Sequence, residues 1–461
     1  MAQFLTSSKE ISHEYCCTLV KIGEIKPIEG SDFLAVTQVE GRDIVVRKDQ
    51  VKENDIMFYA SNECQLNHDF LSVNNLFEDK TLNINTEIKG YFNKYGRVRM
   101  IRLRGVLSMG FLFSIEDMKR WCPKFELDLN VGEDFDTVNG ELFVKAYVPP
   151  VKEVRHSGTG NKRDKKLKSF DRIIPTEFKF HYDTQQLQRN ISRLKPEDSV
   201  VISTKVHGTS FICGNVLVKK PIIGGLYDKV FNYLPKFMQW TKEDYDVVYS
   251  SRTVIKNKTI NNKVSGGYYS QDVWGDYYEL LKPFIPQGYT IYGEIVGYLT
   301  DSNSMIQKGY DYGCKPGENK LMIYRVTRRV NGETVELNIE EVITFTNCIV
   351  DLMSASGMTE ESKKIMPYTL LYHGKLSELY DIDTTNHWHE NLLELLKNDK
   401  NFLMEENEPL CRNKVPREGI CLRIDDDVIP ECFKLKCLNF LQREAKEVDN
   451  GNTDIETEQR Y

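Results

Sequence analysis

The sequence predicts an α+β protein that opens with a small β-barrel or sandwich, and three observations carry that reading. Its 461 residues allow two or three domains. From about Cys17 to Phe113 the chain breaks into short apolar runs separated by turn residues, with no long helical periodicity. Beyond Ser199, apolar strand-like runs each deliver one or two charged residues at or near an end.

In the first half, Val36–Val39 and Asp43–Arg47 read as strands joined at Glu40-Gly41, a hairpin signal. Asp55–Tyr59 is another apolar run. Gly96–Arg104 alternates basic with apolar residues, the bases falling at Arg97, Arg99, Arg102 and Arg104. The parity changes between 99 and 102, so one flat strand cannot present all four on a single face. Two readings stay open for it: a solvated edge strand or a stripe that faces nucleic acid.

The second half carries the chemistry. Ser199–Lys205 is an apolar strand ending in a lysine, and Gly208 permits a tight turn into a second strand, Phe211–Val218. A lysine held at a strand end beside a glycine turn is a candidate covalent nucleophile, although a surface lysine before a hairpin looks the same. Four further segments bear on that choice. Tyr249–Arg252 places an Arg after an apolar strand, and Tyr289–Gly297 is a strand carrying Glu294. Arg417–Arg423 opens with Glu418 at its mouth. In Phe433–Cys437, Lys434 and Lys436 share one face while Phe433, Leu435 and Cys437 take the other. Two like charges on one face imply an anionic partner such as a polyphosphate, with a solvated edge as the alternative.

Taken in order, Lys205-x-His207-Gly208, Ser251-Arg252, Gly293-Glu294, Glu418-Gly419 and Lys434-x-Lys436 resemble the motif series of the covalent nucleotidyltransferases: DNA ligases, RNA ligases and mRNA capping enzymes. The resemblance spans Ser199 to Leu438. His207, where DNA ligases and capping enzymes have Asp, is similar to the nick-sealing RNA ligases. Ile22–Ile25, Pro27–Asp32, Leu103–Gly105 and Ser108–Gly110 resemble an N-terminal OB domain, as does the lead-in Phe180–Asn190 that branch's connector.

This resemblance implies an α+β fold: an OB-like β-barrel, then an ATP-grasp-like nucleotidyltransferase domain of antiparallel sheets with flanking helices. The expected boundaries are 1–125 for the OB-like domain, 126–190 for a connector with a basic linker at 152–172, 191–441 for the adenylation domain and 442–461 for an acidic flexible tail. It further implies an ATP-dependent RNA ligase joining 3′-OH and 5′-phosphate ends at nicks, with Mg²⁺ or Mn²⁺ as cofactor. Lys205 would form the lysyl-AMP, and Lys434 and Lys436 would stabilise the phosphates. Glu294 and Glu418 would hold the sugar and the metal with its waters. Arg252 would meet the ribose or a terminal phosphate, and Tyr324 would stack on adenine. His207, Gly208 and Thr204 complete the expected nucleotide site, Thr204 standing where many relatives have Glu. The alternatives are a DNA ligase, a GTP-using capping-type enzyme, and an OB-containing RNA-binding protein without activity.

Eleven cysteines, an odd number with no CxxC pair, read as reduced thiols, mostly buried, in a cytoplasmic protein. His387-Trp388-His389 has no third ligand nearby and reads as a helix start. No apolar run of about 18 residues is present, so no membrane span is expected, and the N-terminus lacks the layout of a secretory leader. A monomer is expected. The formal charge of −7 argues against a generally basic nucleic-acid binder. The eight Lys and Arg of 152–172, the arginine run and the lysine pair instead predict a local basic groove on an acidic body.

Overall fold

A computed structural model describes residues 4–8, 14–148, 170–182, 184–222, 231, 238–259, 269, 271–402, 406–425 and 430–449. The chain divides into two compact units, one built on Met1–Pro150 with Glu444–Asn452 and the other on Val151–Arg443.

The first unit is β-rich, as its sequence requires. An antiparallel sheet runs in the order Gly110–Phe113, Ile56–Ser61, Cys17–Lys21, Asp134–Phe135, beside a meander of Ile25–Pro27, Leu34–Val39 and Arg42–Arg47. Glu40 and Gly41 take φ of 50° and 69°, which two-residue hairpin turns demand. Phe58, Phe70, Phe113, Phe135 and Phe143 form an aromatic core. The helix Ile115–Trp121 starts in a capping box between Ser114 and Asp117.

Three expectations need correction here. The unit does not stop at 125, because Asp134–Phe135 completes the sheet and the Asp134 carboxylate accepts the Thr18 hydroxyl at 2.6 Å. The strand expected over Gly96–Arg104 is confined to Ile101–Leu103, paired with Val106–Ser108, and Arg104 with Gly105 forms its turn at positive φ. Arg97 is not part of any exposed stripe. Its guanidinium is buried, donating to Glu63 at 2.7 and 2.8 Å and to Asp449 at 2.6 Å, and lies over the Tyr147 ring. Two carboxylates supply the counter-charge without which a buried arginine would be prohibitive. Arg99 is half-buried and donates to the Tyr91 carbonyl, while Arg102 and Arg104 are exposed.

The second unit holds two larger sheets. One runs Gln185–Gln186, Cys432–Lys436, Gly419–Ile424, Ser199–Lys205, Leu370–Lys375, antiparallel except for its first pair. The other runs Thr241–Ser250, Thr209–Pro221, Tyr289–Gly297, Asn319–Val330, Glu333–Glu336, with Ile365–Pro367 alongside Asn319–Val330. Helices Val273–Leu281 and Ile339–Ala355 contribute Trp274, Tyr277, Val342 and Met353 to one core, and Trp388–Asn398 contributes Leu392 and Leu396 to another. His387 sits at the start of that last helix and His389 contacts the Leu194 carbonyl. Among the described residues no group of three metal-ligating side chains gathers, there or elsewhere.

The tail expected from 442 is helical through Asp449, within Leu438–Asp449. Residues 450–461, and the basic linker as far as 169, lie outside the described residues. All eleven cysteines are free thiols. Among the described residues, no helix is long and apolar enough to cross a membrane.

Candidate active site

The lysine strand and its two neighbours set up the site by pairing alone. Lys205 stands opposite Gly419, and Gly419 opposite Lys436; the next row is Ser203, Cys421, Lys434. Directly paired residues share a face, so both rows look the same way. The intervening rows, Thr204–Ile420–Leu435 and Ile202–Leu422–Phe433, look into the core. Gly419 is obligatory between the two lysines. A Cβ there would lie 2.1 Å from the Leu435 carbonyl oxygen and 2.8 Å from the Lys436 Cα, at a φ of 148°.

Glu418, one residue before this glycine, is 4% exposed and collects the charges. Its Oε1 lies 2.7 Å from Lys205 Nζ and 3.8 Å from Lys436 Nζ, and its Oε2 is 3.7 Å from His207 Nδ1. Burial would push this carboxyl up; Lys205, His207 and Lys436 outweigh it and hold the group below the usual carboxylate range. Glu418 Oε2 accepts no hydrogen bond, an open acceptor on a buried carboxylate. Arg417 is anchored beneath by the buried Glu408, 3.3 Å away, and by the Phe402 carbonyl. Burial pushes the Glu408 carboxyl up despite that partner.

The turn after Lys205 is pinned against the second sheet. A Cβ on Gly208 would meet the Ile295 carbonyl at 2.3 Å and Glu294 Cγ at 2.9 Å, so only glycine brings the loop after Lys205 this close to the Glu294 strand. The Gly208 carbonyl accepts from Gln307, the His207 amide donates to the Tyr312 hydroxyl at 2.7 Å, and the His207 ring lies edge-on to Tyr310 and Phe440.

Between the sheets lies a cavity that opens to solvent. Thr204, Lys205, Arg252, Glu294 and Tyr324 all line it. Across the second sheet Ser210, Glu294 and Met322 form one row facing it. Tyr324 reaches it through an irregularity. Tyr292 pairs with Arg325 and Gly293 with Ile323, which leaves Tyr324 as the extra residue of a β-bulge. Burial and then the Glu294 carboxylate push its hydroxyl well above the ordinary tyrosine value, so it stays a donor.

The structure thus brings Lys205, His207, Lys436 and Glu418 to one point and places Lys434 one row away. Gly208 acts through close approach. Thr204 borders the cavity, but its row faces the core and its Oγ1 makes no hydrogen bond, so its contribution to the wall is backbone. Several wall residues escaped the sequence reading. Ser203, Cys421 and Arg423 follow from period-two counting outward from Lys205 and Gly419, and Cys432 from counting back from Lys434. Arg325 is held by Glu336 and stacked between Tyr182 and Tyr292, a constellation no local pattern announces.

The buried Glu418 Oε2, an acceptor without a hydrogen bond, is the kind of oxygen a hard divalent cation takes, and among the described residues no group of three metal-ligating side chains gathers.

Comparison with known proteins gives three findings. A family model described as an OB-fold domain matches residues 16–115. No curated protein matches the chain. Among solved structures, Naegleria gruberi RNA ligase with PPi is similar at 15% identity, covering 93% of this chain and 98% of that one with a TM-score of 0.54. A variant of that ligase with ATP and Mn is 15% identical, covering 94% and 98% with a TM-score of 0.53. Another, with AMP and Mn, is 15% identical, covering 93% and 98% at 0.52. The fold is therefore an N-terminal OB-fold domain followed by the mixed, mostly antiparallel architecture of an RNA ligase.

Proposed function

We propose that this chain is an ATP-dependent RNA ligase that joins 3′-OH and 5′-phosphate RNA ends, most naturally at nicks in a duplex. The observation that carries the reading is the meeting of Lys205, Lys436 and His207 on the buried Glu418, with Lys205 itself lining the cavity between the two sheets. Naegleria gruberi RNA ligase, whose fold the chain shares, was solved with ATP and Mn, which supports the same ligands here.

In this reading Lys205 Nζ forms a bond to the α-phosphorus of ATP as the bond to the β-phosphate oxygen breaks and pyrophosphate leaves. The AMP then passes to a 5′-phosphate end, and a neighbouring 3′-OH displaces it to close the phosphodiester. Glu418 Oε1 accepts from the attacking amine at 2.7 Å and so orients it. Lys436 and Lys434 place positive charge where the phosphate oxygens gain negative charge. Gly208 holds the loop against Glu294, and Tyr324 offers an aromatic wall to the base. Glu294 and Glu418 would hold Mg²⁺ or Mn²⁺, which supplies Lewis-acid stabilisation of the phosphates when bound.

The test is incubation with ATP labelled at the α-phosphate and, separately, with labelled GTP. The expected result is a labelled protein adduct with ATP, lost in Lys205→Ala. No adduct with either nucleotide, or one that survives Lys205→Ala, refutes the proposal. A GTP-only adduct would point to capping-type chemistry. Nicked duplexes with RNA or DNA strands then identify the substrate.

A further inference from the structure

The wall of the cavity carries two thiols for which the ligase chemistry has no use. Cys421 lies on Gly419–Ile424 and Cys432 begins the adjacent antiparallel strand Cys432–Lys436. Cys421 pairs with Lys434 and Arg423 with Cys432, so the cysteines are diagonal neighbours on the cavity face. Both are free, partly buried and exposed to the cavity. We infer that Cys421 and Cys432 form a redox-modifiable thiol pair, which hydrogen peroxide joins as a disulfide and which then shuts the site to nucleotide. The second half of that statement rests on the nucleotide reading of the cavity; the first half rests on the thiol geometry alone.

The two sulfurs are unlike, as such a reaction needs. The hydrogen bond from Cys432, with the positive charges of Lys205 and Lys434, holds the Cys421 thiol below its ordinary value against burial. Cys432 is driven well above its own by giving that hydrogen bond and by burial. The Cys421 sulfur is therefore the attacking thiolate and Cys432 the resolving thiol. Cys421 sulfur attacks one peroxide oxygen, the O–O bond breaks and hydroxide leaves, giving a sulfenic acid. Cys432 sulfur then displaces the sulfenic hydroxyl. In sum, two thiols and one peroxide become one disulfide and two waters, a two-electron oxidation.

The bond would not be silent. Diagonal cross-strand neighbours have Cα atoms roughly 7–8 Å apart, whereas a disulfide spans about 4.4–6.8 Å. Closing it draws the start of the Cys432 strand inward, and that strand carries Lys434 and Lys436 two and four residues on. Oxidation thus disturbs the phosphate-facing lysines as well as the cavity wall.

The experiment treats the full chain with hydrogen peroxide, blocks remaining thiols with N-ethylmaleimide and digests with trypsin. Cleavage separates Glu418–Arg423 from Ile424–Lys434, so the pair is read as one linked peptide two hydrogens lighter than the sum. That peptide is expected, with at least a tenfold fall in lysyl-AMP formation that dithiothreitol restores. Saturating ATP should slow its appearance. Cys432→Ser should yield no link and instead a dimedone-reactive Cys421. If peroxide consumes other thiols such as the exposed Cys348 without producing the link, the thiol pair is overturned. The same holds if Cys421→Ser loses activity to peroxide as reversibly as the wild type. A link that forms in a protein that never adenylates would sink the ligase reading and leave the thiol pair standing.

Discussion

Replacing Glu418 by Gln removes one negative charge and leaves the shape of the side chain in place. The structure sets the scale of the effect. At 2.7 Å from Lys205 and 3.8 Å from Lys436, an effective dielectric of about 20 gives attractions of roughly 6 and 4 kcal/mol. Desolvating the carboxylate offsets several kcal/mol of that. The lysines are 21% and 24% exposed, so water screens what remains. A net loss of about 2–4 kcal/mol is expected, within the range for removing one partner of a buried pair. The pH dependence has a definite sign. The folded carboxyl lies below the ordinary glutamate value, so its stabilisation is complete above about pH 4.3 and is lost as pH falls through the lowered folded value. Urea unfolding of the second unit from pH 3 to pH 7 should show that acid-side loss in the wild type and a flatter profile in Glu418→Gln. Adenylation should fall at least 100-fold, equivalent to about 2.7 kcal/mol of transition-state stabilisation. A variant that adenylates within threefold of wild type, or shares its acid profile, would refute the reasoning.

Two further outcomes follow from the same geometry. Gly419→Ala must push the Lys436 strand away from its neighbour and should cost upwards of about 3 kcal/mol of stability together with most adenylation, whereas Gly23→Ala, with nothing within 4 Å of its Cβ, should change neither; equal melting temperatures for the two would contradict this. Tyr324→Phe keeps the aromatic wall and should leave KM for ATP within about threefold, while Tyr324→Ala should raise it about tenfold or more through lost stacking; steady-state adenylation kinetics decide it.

Much of the site was legible because strand periodicity and glycine are local signals. The lysine pair shares one face of Cys432–Lys436 as its alternation predicts, and Lys205 and Glu294 lie on Ser199–Lys205 and Tyr289–Gly297 as those apolar runs predict. What stayed hidden depends on distant partners. Arg97 looked like one base of an exposed run, yet Glu63 and Asp449, 34 and 352 residues away, make its burial tolerable. Thr204 belongs to the expected site because it stands where many relatives have Glu, yet its neighbourhood with Lys205 in one strand turns it to the opposite face. The bulge at Tyr324 breaks the counting on which such a reading relies, so its place at the cavity wall could come only from the motif resemblance. The expected boundary at 125 failed because the short strand Asp134–Phe135 owes its existence to a partner more than a hundred residues earlier, and carries little signal of its own.

The contact of Gly208 with the Ile295 carbonyl has a mechanical meaning. Only Val206, His207 and Gly208 separate the last residue of one sheet's strand from the first of the other's. The spacing of the two sheets is therefore clamped at the Lys205 end, by backbone against backbone. Such a construction is stiff at its fulcrum and compliant at its opening. For the nucleotide of the proposed reaction, such a clamp would demand accuracy of the triphosphate and grant tolerance to the base behind it, leaving base selectivity to the walls at Tyr324 and Arg325.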